Sequence, residues 1–211
     1  MAIERKGVRA YDASGRQERA RVQHEKTLEH ARALFLRGGY TGTTVEAIAR
    51  AAGVSAATVY KSYGGKAGLV RELCDRALEG RGPIPAEARS NALRSTGDAR
   101  AVIVGWGALV TEVSPRISPL LLLLRTAGDT DEDAAALYEE LDGARLRRMA
   151  ENARFLLDGG HLRKGVTLAA ARDVLWLCSS PELYELLVVR RGWSRRRLGA
   201  FVVDTMTASL L

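Results

Sequence analysis

The sequence has few of the residues from which metal sites and enzyme active sites are built. Its 211 residues include two cysteines and three histidines, and no Cys/His spacing suits zinc. Cys74 and Cys178 are far apart and flanked by helix-forming residues, which predicts reduced, buried thiols of a cytoplasmic protein. No nucleophile elbow, phosphate-binding loop or dinucleotide-binding glycine motif is present. We therefore predict that the protein is not an enzyme and has no catalytic residues, metal or cofactor.

Long hydrophobic runs and strand patterns are also missing. The leucine run Leu120–Leu124 is much too short to span a bilayer, so we expect no membrane partner. Apolar residues recur at helical spacing along most of the chain, whereas no segment alternates with the period of a strand. The sequence predicts an all-α fold without internal repeats.

Basic charge is concentrated in the N-terminal part of the sequence. The formal net charge is +7, and residues 1–66 hold 12 Lys and Arg against 6 Asp and Glu, whereas the remaining residues hold 20 against 19. Such concentration is typical of a module that binds the phosphates of a nucleic acid. Charge alone would fit a solvated basic surface as well, so the assignment depends on a motif.

The stretch 43–69 predicts a helix-turn-helix. Thr43 and Thr44 can each cap a first short helix, and Gly53 stands where a chain leaving a helix needs a left-handed residue. Ser55 can cap a second helix. Two short helices packed at a steep angle leave the second helix free to enter the major groove of DNA.

This stretch resembles the DNA-binding motif of the tetracycline-repressor (TetR) family of bacterial transcriptional regulators. The matching positions are Thr44, Ile48-Ala49, Ala52-Gly53-Val54, Ser55, Thr58-Val59-Tyr60, Tyr63 and Lys66. The sequence departs from the family pattern at Ala67, where a Glu is usual, and at Ser62, where a ring is frequent. The resemblance covers about the first 80 residues. It implies an N-terminal three-helix DNA-binding domain with a helix-turn-helix, and a C-terminal helical bundle for ligand binding and dimerisation.

The resemblance also implies which residues face DNA. They are Thr44, Ser55, Ala56, Ala57, Thr58, Tyr60, Lys61, Ser62 and Lys66. Thr58 and Tyr60 can donate hydrogen bonds to phosphate oxygens, and Lys61 can pair with a phosphate or a guanine edge. The two alanines can only contact a thymine methyl or allow close approach. DNA shape and Lys61 must therefore supply part of the sequence specificity. Lys66, at the start of a fourth helix, is expected to bind a phosphate, with a plain surface lysine as the alternative.

We predict three segments. Residues 1–17 form a flexible basic arm, which either contacts DNA or is a mere tail. Residues 18–80 form the DNA-binding domain, whose first helix runs from about residue 18 to 38. Residues 81–211 form the effector-binding and dimerisation domain, with helices capped by Asp98, Thr130 or Asp131, Thr167 and Ser194. Pro115 and Pro119 are expected to separate two helices within it.

By resemblance, the C-terminal helices enclose an apolar effector pocket and pair with a second subunit. The pocket candidates are Trp106, Leu109, Leu123, Tyr138, Met149 and Trp176. Each could equally be an ordinary core residue, because apolar residues at helical spacing are usually buried. The helices 167–178 and 194–210 are the candidates for the dimer interface.

The function implied is that of a ligand-responsive transcriptional regulator, a repressor that a small molecule releases from its operator. The implied partners are double-stranded DNA with a palindromic operator, an unidentified small-molecule effector and a second copy in a homodimer, all in the cytoplasm. The alternative is a helical small-molecule-binding protein or enzyme with a vestigial DNA-binding module. A salt-dependent shift of promoter DNA separates the two. The sequence does not specify the effector, the operator, the regulated genes or the direction of regulation.

Overall fold

The computed structural model describes residues 13–80, 84–95 and 97–211. All regular structure in these ranges is helical, which confirms the predicted all-α fold. The helices are α1 (Ala13–Gly38), α2 (Val45–Ala52), α3 (Ala56–Tyr63), α4 (Lys66–Glu79), α5 (Ala86–Arg94), α6 (Ala99–Ala127), α7 (Glu132–Asp158), α8 (Leu168–Cys178), α9 (Pro181–Tyr184), a π-helix (Glu185–Arg190) that continues α9, and α10 (Arg195–Leu210).

Helices α1–α4 form the N-terminal unit around one apolar core. Phe35 of α1, Ile48 of α2, Val59 of α3 and Leu69 of α4 are buried together in it. Each of these helices therefore turns one apolar face inward and leaves the opposite face to solvent. Helices α2 and α3 are the two short helices of the predicted helix-turn-helix.

The same core extends into the C-terminal part of the chain. Leu120 and Leu124 of α6 and Leu137 of α7 are buried in one cluster with the residues of α1–α4. The predicted domain boundary near residue 80 therefore lies between α4 and α5, but the core of the N-terminal unit continues across it into α6 and α7. The N-terminal unit rests on the end of α6 and the beginning of α7.

A second core fills the far end of the molecule. Trp106 of α6, Leu156 of α7, Leu175 of α8 and Met206 of α10 are among its buried members. Helices α7 and α10 pack against α6 there, and α8 packs against α7 and α10, so the inward-facing apolar side chains of all four helices are covered. The thiols of Cys74, in the first core, and Cys178, in the second, are both buried and free, as predicted.

Helix α6 contradicts the predicted break at the prolines. It runs without interruption through Pro115 and Pro119, although each proline removes one backbone hydrogen bond and costs about 3 kcal/mol or more in an isolated helix. Helices α4, α5, α7, α9 and α10 pack around α6, and this packing outweighs the local cost. Helix α6 is also long and apolar enough to cross a membrane by length and composition alone; here those apolar side chains contribute to both cores.

The N-terminal arm lies mostly outside the described residues, which begin at residue 13. Helix α1 starts there, so residues 13–17, assigned to the arm from the sequence, are helical. Helix α5 is absent from the sequence-based prediction. It begins directly after Pro85, which occupies the N-cap position and provides no side-chain cap.

Candidate DNA-binding surface and ligand cavity

The turn between α2 and α3 is built by the residues that the sequence singled out. The Thr44 hydroxyl accepts a hydrogen bond from Ala47 N at 3.1 Å and so caps α2. Gly53 has a φ of 72°, a left-handed conformation that a side chain would strain. The Ser55 hydroxyl then accepts from Thr58 N at 3.1 Å and caps α3. Both predicted caps are confirmed, and they fix the direction in which α3 leaves the turn.

Helix α3 turns its polar side to solvent. Val59 is 1% exposed and anchors the helix in the core, whereas the Tyr60 side chain on the other face is 51% exposed. The predicted DNA-contacting residues that lie exposed on or next to this helix-turn-helix are Thr44, Ser55, Ala57, Thr58, Tyr60, Lys61 and Ser62. Ala56 differs, because it is partly buried and packs against the core.

Two contacts from α1 hold the helix-turn-helix in place. The Gln23 amide donates to Ala52 O at the end of α2, with a distance of 2.7 Å. The Tyr63 ring stacks on His24 at a centroid distance of 5.1 Å, and its hydroxyl lies 2.8 Å from His24 Nδ1. Burial, followed by the charge of Glu72, raises the pKa of Tyr63. Tyr63 is therefore a packing residue.

The ammonium group of Lys66 already has partners within the protein. Its ammonium donates to Tyr40 O at 3.2 Å, lies 4.3 Å from the centre of the Tyr40 ring, and is 3.9 Å from Asp131 Oδ2. Asp131 caps α7 through Ala134 N, so Lys66 links the first turn of α4 to the first turn of α7. Burial and the charges of Asp131 and Asp133 raise the pKa of Tyr40 to about 12. The phosphate contact expected of Lys66 would require its ammonium to leave these partners.

A cavity of about 470 Å³ lies between the helices of the C-terminal part. This volume is within the range of small-molecule sites, roughly 300–1,000 Å³. From α6 it is lined by Trp106, Leu109, Val110, Val113, Ser114, Ile117 and Leu121. From α7 it is lined by Leu141, Ala144, Arg145, Arg147, Arg148, Met149, Glu151 and Asn152. Its other walls include Ala86, Glu87 and Ser90 of α5, Leu175 of α8 and Met206 of α10.

Three of the six residues predicted for a pocket line this cavity, namely Trp106, Leu109 and Met149. Leu123 and Tyr138 pack against the first core instead. Leu123 stands two residues after the lining residue Leu121, and two residues turn a helix by about 200°, so the two side chains leave opposite sides of α6. Spacing thus identifies the lining face only once one of its members is known.

Trp176 also lies outside the cavity lining. Its ring packs against the guanidinium of Arg145, at 4.7 Å from the ring centre. Arg145 itself lines the cavity and is held by Asp142 at 2.6 Å, by Trp176 O at 2.6 Å and by Ser179 Oγ at 3.3 Å. Arg145 and Asn152 are among the lining residues that the sequence-based prediction lacks. The available signal was their spacing of three or four residues from Met149 on the inner face of α7.

Helix α4 joins the two candidate sites. Lys66 begins the helix two residues after α3 ends at its left-handed cap, Gly64, whereas Leu78 near the other end lines the cavity. In between, both guanidinium nitrogens of Arg71 donate to the carboxylate of Glu140 on α7, at 2.6 and 2.5 Å. Helix α4 thus contacts the cavity through Leu78 and α7 through Arg71, and it begins beside α3.

A catalytic or metal centre is not evident in the part of the chain that the structure describes. Among those residues no three His, Cys, Asp or Glu side chains form a group that could hold a metal ion. The carboxylates on the inner helix faces are paired with arginines, as in the bond between Arg89 and Glu112 at 2.8 Å.

Comparison with known proteins supports the description of α2 and α3 as a helix-turn-helix. Residues 28–73 match the family model for bacterial regulatory proteins of the tetR family. No curated protein matches the chain.

Solved structures share the fold over nearly the whole chain. One is NalD of Pseudomonas aeruginosa, the secondary repressor of the MexAB-OprM multidrug efflux pump, with 22% identity, a TM-score of 0.73, and coverage of 92% of this chain and 98% of that one. Another is SmeT in complex with triclosan, with 20% identity, a TM-score of 0.65, and coverage of 89% and 90%. A third is the TetR-family regulator PfmR of Thermus thermophilus, with 20% identity, a TM-score of 0.60, and coverage of 89% and 97%.

Proposed function

Because this chain carries the DNA-binding domain of the TetR family on the fold of that family's transcriptional regulators, we propose that it is a repressor controlled by a small molecule. In this proposal α3 enters the major groove of an operator in the bacterial cytoplasm, and a molecule bound in the 470 Å³ cavity lowers the affinity for that operator. The protein is given no catalytic role.

The exposed face of α3 supports the DNA-binding part of the proposal. Tyr60 and Lys61 are exposed there, and the side chains of both can contact phosphates or base edges. Ala57 is exposed as well and can lie against a thymine methyl. Since few polar groups on α3 can read bases, the proposal assigns part of the specificity to DNA shape. It assigns no role to residues 1–12, which lie outside the described residues.

The main support for the regulatory part of the proposal is the position of α4. One end of α4 follows the recognition helix, and Leu78 at the other end lines the cavity. A ligand that prefers one of two positions of α4 changes DNA affinity by the ratio of its affinities for the two states. Such coupling is typically about 1–3 kcal/mol, which corresponds to a change of about 5–150-fold. NalD is described as a repressor, and SmeT was solved with triclosan, which is consistent with the same use of this fold.

The exposed apolar residues of α8 and α10 support a homodimer. Leu177 and Phe201 are 56% and 38% exposed, and α8 and α10 pack side by side. One recognition helix covers only a few base pairs, so two-fold symmetry is needed to place a second helix in a successive major groove. The proposed operator is therefore palindromic.

The test is a selection of random duplex DNA with the full chain, followed by gel shifts at several salt concentrations. We expect an enriched two-fold related sequence, and binding whose logarithm falls linearly with the logarithm of salt concentration. A screen of apolar compounds by tryptophan fluorescence, to which Trp106 in the cavity contributes, then identifies ligands whose effect on operator binding is measured. Absence of both enrichment and salt-dependent binding would contradict the proposal and favour a carrier or enzyme with a vestigial DNA-binding module. Tight ligands that never alter operator affinity would contradict its regulatory part.

A further inference from the structure

Three residues that line the cavity carry a buried polar atom with no hydrogen-bond partner among the described residues. The atoms are the indole nitrogen Nε1 of Trp106, the amide oxygen Oδ1 of Asn152 and the guanidinium nitrogen Nε of Arg145. Trp106 and Asn152 are 4% and 3% exposed. Trp106 Nε1 and Arg145 Nε carry protons and can only donate, whereas Asn152 Oδ1 can only accept. Most buried polar side-chain atoms in proteins are paired, so three unpaired atoms among the residues that line one cavity indicate a partner that fills it.

The charged side chains that line the cavity are paired with opposite charges, except for Arg147, which is exposed to solvent. Glu87 and Glu151 lie 3.5 and 3.0 Å from the guanidinium of Arg148, and Glu151 is also 3.7 Å from Arg94. Arg145 is held by Asp142 at 2.6 Å. Neither lining carboxylate is left to pair with a cationic ligand, and a buried anion would compete with carboxylates for arginines that are already bound.

The remaining surface of the cavity is apolar. Leu109, Val113, Ile117 and Met149 are among the side chains that line it. A ligand gains affinity there by removing its own apolar surface from water, at a rate of roughly 25 cal/mol per Å². Polar groups of a ligand are accommodated only where the cavity offers a partner, because an unpaired buried polar group opposes binding.

We propose that the cavity binds a neutral, largely apolar molecule with a hydroxyl group, that is, a hydrophobic phenol or alcohol. Its oxygen accepts a hydrogen bond from Trp106 Nε1, and a hydroxyl proton is donated to Asn152 Oδ1. The assignment rests on the proposed function only in taking the cavity as the effector site. It adds the chemical class of the ligand and names the two residues that select it.

The test compares ligands of nearly equal size on the full chain without DNA, by calorimetry. The probes are 4-phenylphenol, its methyl ether 4-methoxybiphenyl, the cation 4-phenylbenzylammonium and the anion 4-phenylbenzoate. The methyl ether can accept a hydrogen bond but cannot donate one. We expect 4-phenylphenol to bind most tightly, with an advantage over the ether of about two- to tenfold, the size of one neutral hydrogen bond. Equal binding of phenol and ether, tighter binding of either ion, or no binding of any probe would overturn the proposal.

Variants assign the hydrogen bonds to residues. Trp106→Phe and Asn152→Leu are each expected to weaken 4-phenylphenol binding by about two- to tenfold, and Asn152→Leu should remove the preference over the ether. The matched control is Trp176→Phe, because Trp176 also has an unpaired buried indole nitrogen but lies outside the cavity lining. Equal losses in Trp106→Phe and Trp176→Phe would contradict the assignment. If Asn152→Leu does not fold, Asn152→Ser replaces it, and the comparison of probes on the unaltered chain remains decisive.

A second measurement separates this inference from the proposed function. Operator binding is titrated at saturating 4-phenylphenol. If the phenol binds as described but leaves operator affinity unchanged, the ligand class is supported and the regulatory role of the cavity is contradicted for this ligand. If another chemical class binds more tightly and releases DNA, the proposed function stands and the ligand class is wrong.

Discussion

At the scale of single residues, Gly68 determines how closely α4 approaches the end of α3. A Cβ atom built on Gly68 would lie 1.6 Å from the backbone oxygen of Tyr63, and a backbone atom cannot move aside as a side chain can. We expect Gly68→Ala to lower the free energy of unfolding by at least about 1–3 kcal/mol, and to weaken DNA binding by displacing α3 from α4.

The matched control is Gly143→Ala in the interior of α7. There an added Cβ meets only the end of the flexible Arg147 side chain, at 3.4 Å. Removing a glycine from a helix interior is expected to stabilise the protein by about 0.5–1 kcal/mol. Urea unfolding of both variants gives the comparison. Equal effects in the two variants would show that the contact between Gly68 and Tyr63 does not limit the packing.

The two cysteines allow a second prediction at this scale. Burial raises the pKa of Cys74 to about 12 and that of Cys178 to about 11, and the thiolate is the reactive form. At pH 8 we therefore expect neither thiol of the native protein to react with a disulfide reagent, whereas both react once the chain unfolds in denaturant. A new cysteine at the exposed position Ser62 serves as the positive control. Rapid reaction of the unaltered native chain would mean that one of the cores opens locally.

At the scale of helices, side-chain caps were predicted from the sequence most accurately. Thr44, Ser55, Asp98, Thr167 and Ser194 all cap helices as expected. A cap depends on atoms within about three residues of one another, so local sequence contains the information.

Features that depend on distant packing were predicted poorly. The continuity of α6 through Pro115 and Pro119 requires the surrounding helices, and no local pattern describes them. Helix α5 lacks a side-chain cap and was missed. Only three of the six predicted pocket residues line the cavity, for the same reason: helical spacing defines a stripe without stating what that stripe faces. Asn152 is visible in the sequence as a polar residue on an apolar face, but its unpaired oxygen is a property of the fold.

The link between α4 and α7 gives a prediction at the same scale. In the present conformation Asp131 lies 3.9 Å from the ammonium of Lys66, and the side chains of both are 25% exposed. If Lys66 binds a DNA phosphate, as the family resemblance implies, Asp131 competes with that phosphate. A partly exposed ion pair contributes about 0–1 kcal/mol, so Asp131→Asn should raise affinity for all DNA sequences by up to about fivefold. Asparagine preserves the cap of α7, because it is as good an N-cap residue as aspartate.

Asp133→Asn provides the control, since it removes the same charge two residues away. The difference in affinity between the two variants isolates the competition for Lys66. In a Lys66→Ala background this difference should vanish, because the competing ammonium is gone. Lys66→Ala alone should weaken binding and reduce the salt slope by about one unit. An unchanged salt slope would leave Lys66 as a structural link between α4 and α7 only.

At the scale of the whole molecule, the two cores and the helices between them form a path from the cavity to α3. The first core includes residues of α1–α4 together with the end of α6 and the start of α7. The cavity lies against other parts of α6 and α7. In the proposed function, a ligand that alters the distance between these two helices would act on the N-terminal unit through these packed side chains and through the bond between Arg71 and Glu140.

The final prediction concerns the proposed dimer. Leu177 on α8 and Phe201 on α10 are large apolar side chains left exposed by one chain, and Phe201 packs edge-on against Trp193 at 5.7 Å. If a second chain covers them, Leu177→Glu and Phe201→Glu bury a charge in the interface, which opposes association strongly. Sedimentation at micromolar concentration should show a dimer of 22.9-kDa chains and a shift toward monomer in both variants.

Leu36→Glu on α1 is the control for this prediction, since Leu36 is 40% exposed but lies on the DNA-binding unit, away from α8 and α10. It should leave the oligomeric state unchanged. The interface variants should bind a single half-site about as well as the unaltered chain does, but should lose most of the extra affinity for a palindrome, because that gain comes from linking two recognition helices. An unaltered chain that sediments as a monomer both with and without DNA would rule out the dimer. A dimer that persists in both variants would place the interface elsewhere on the molecule.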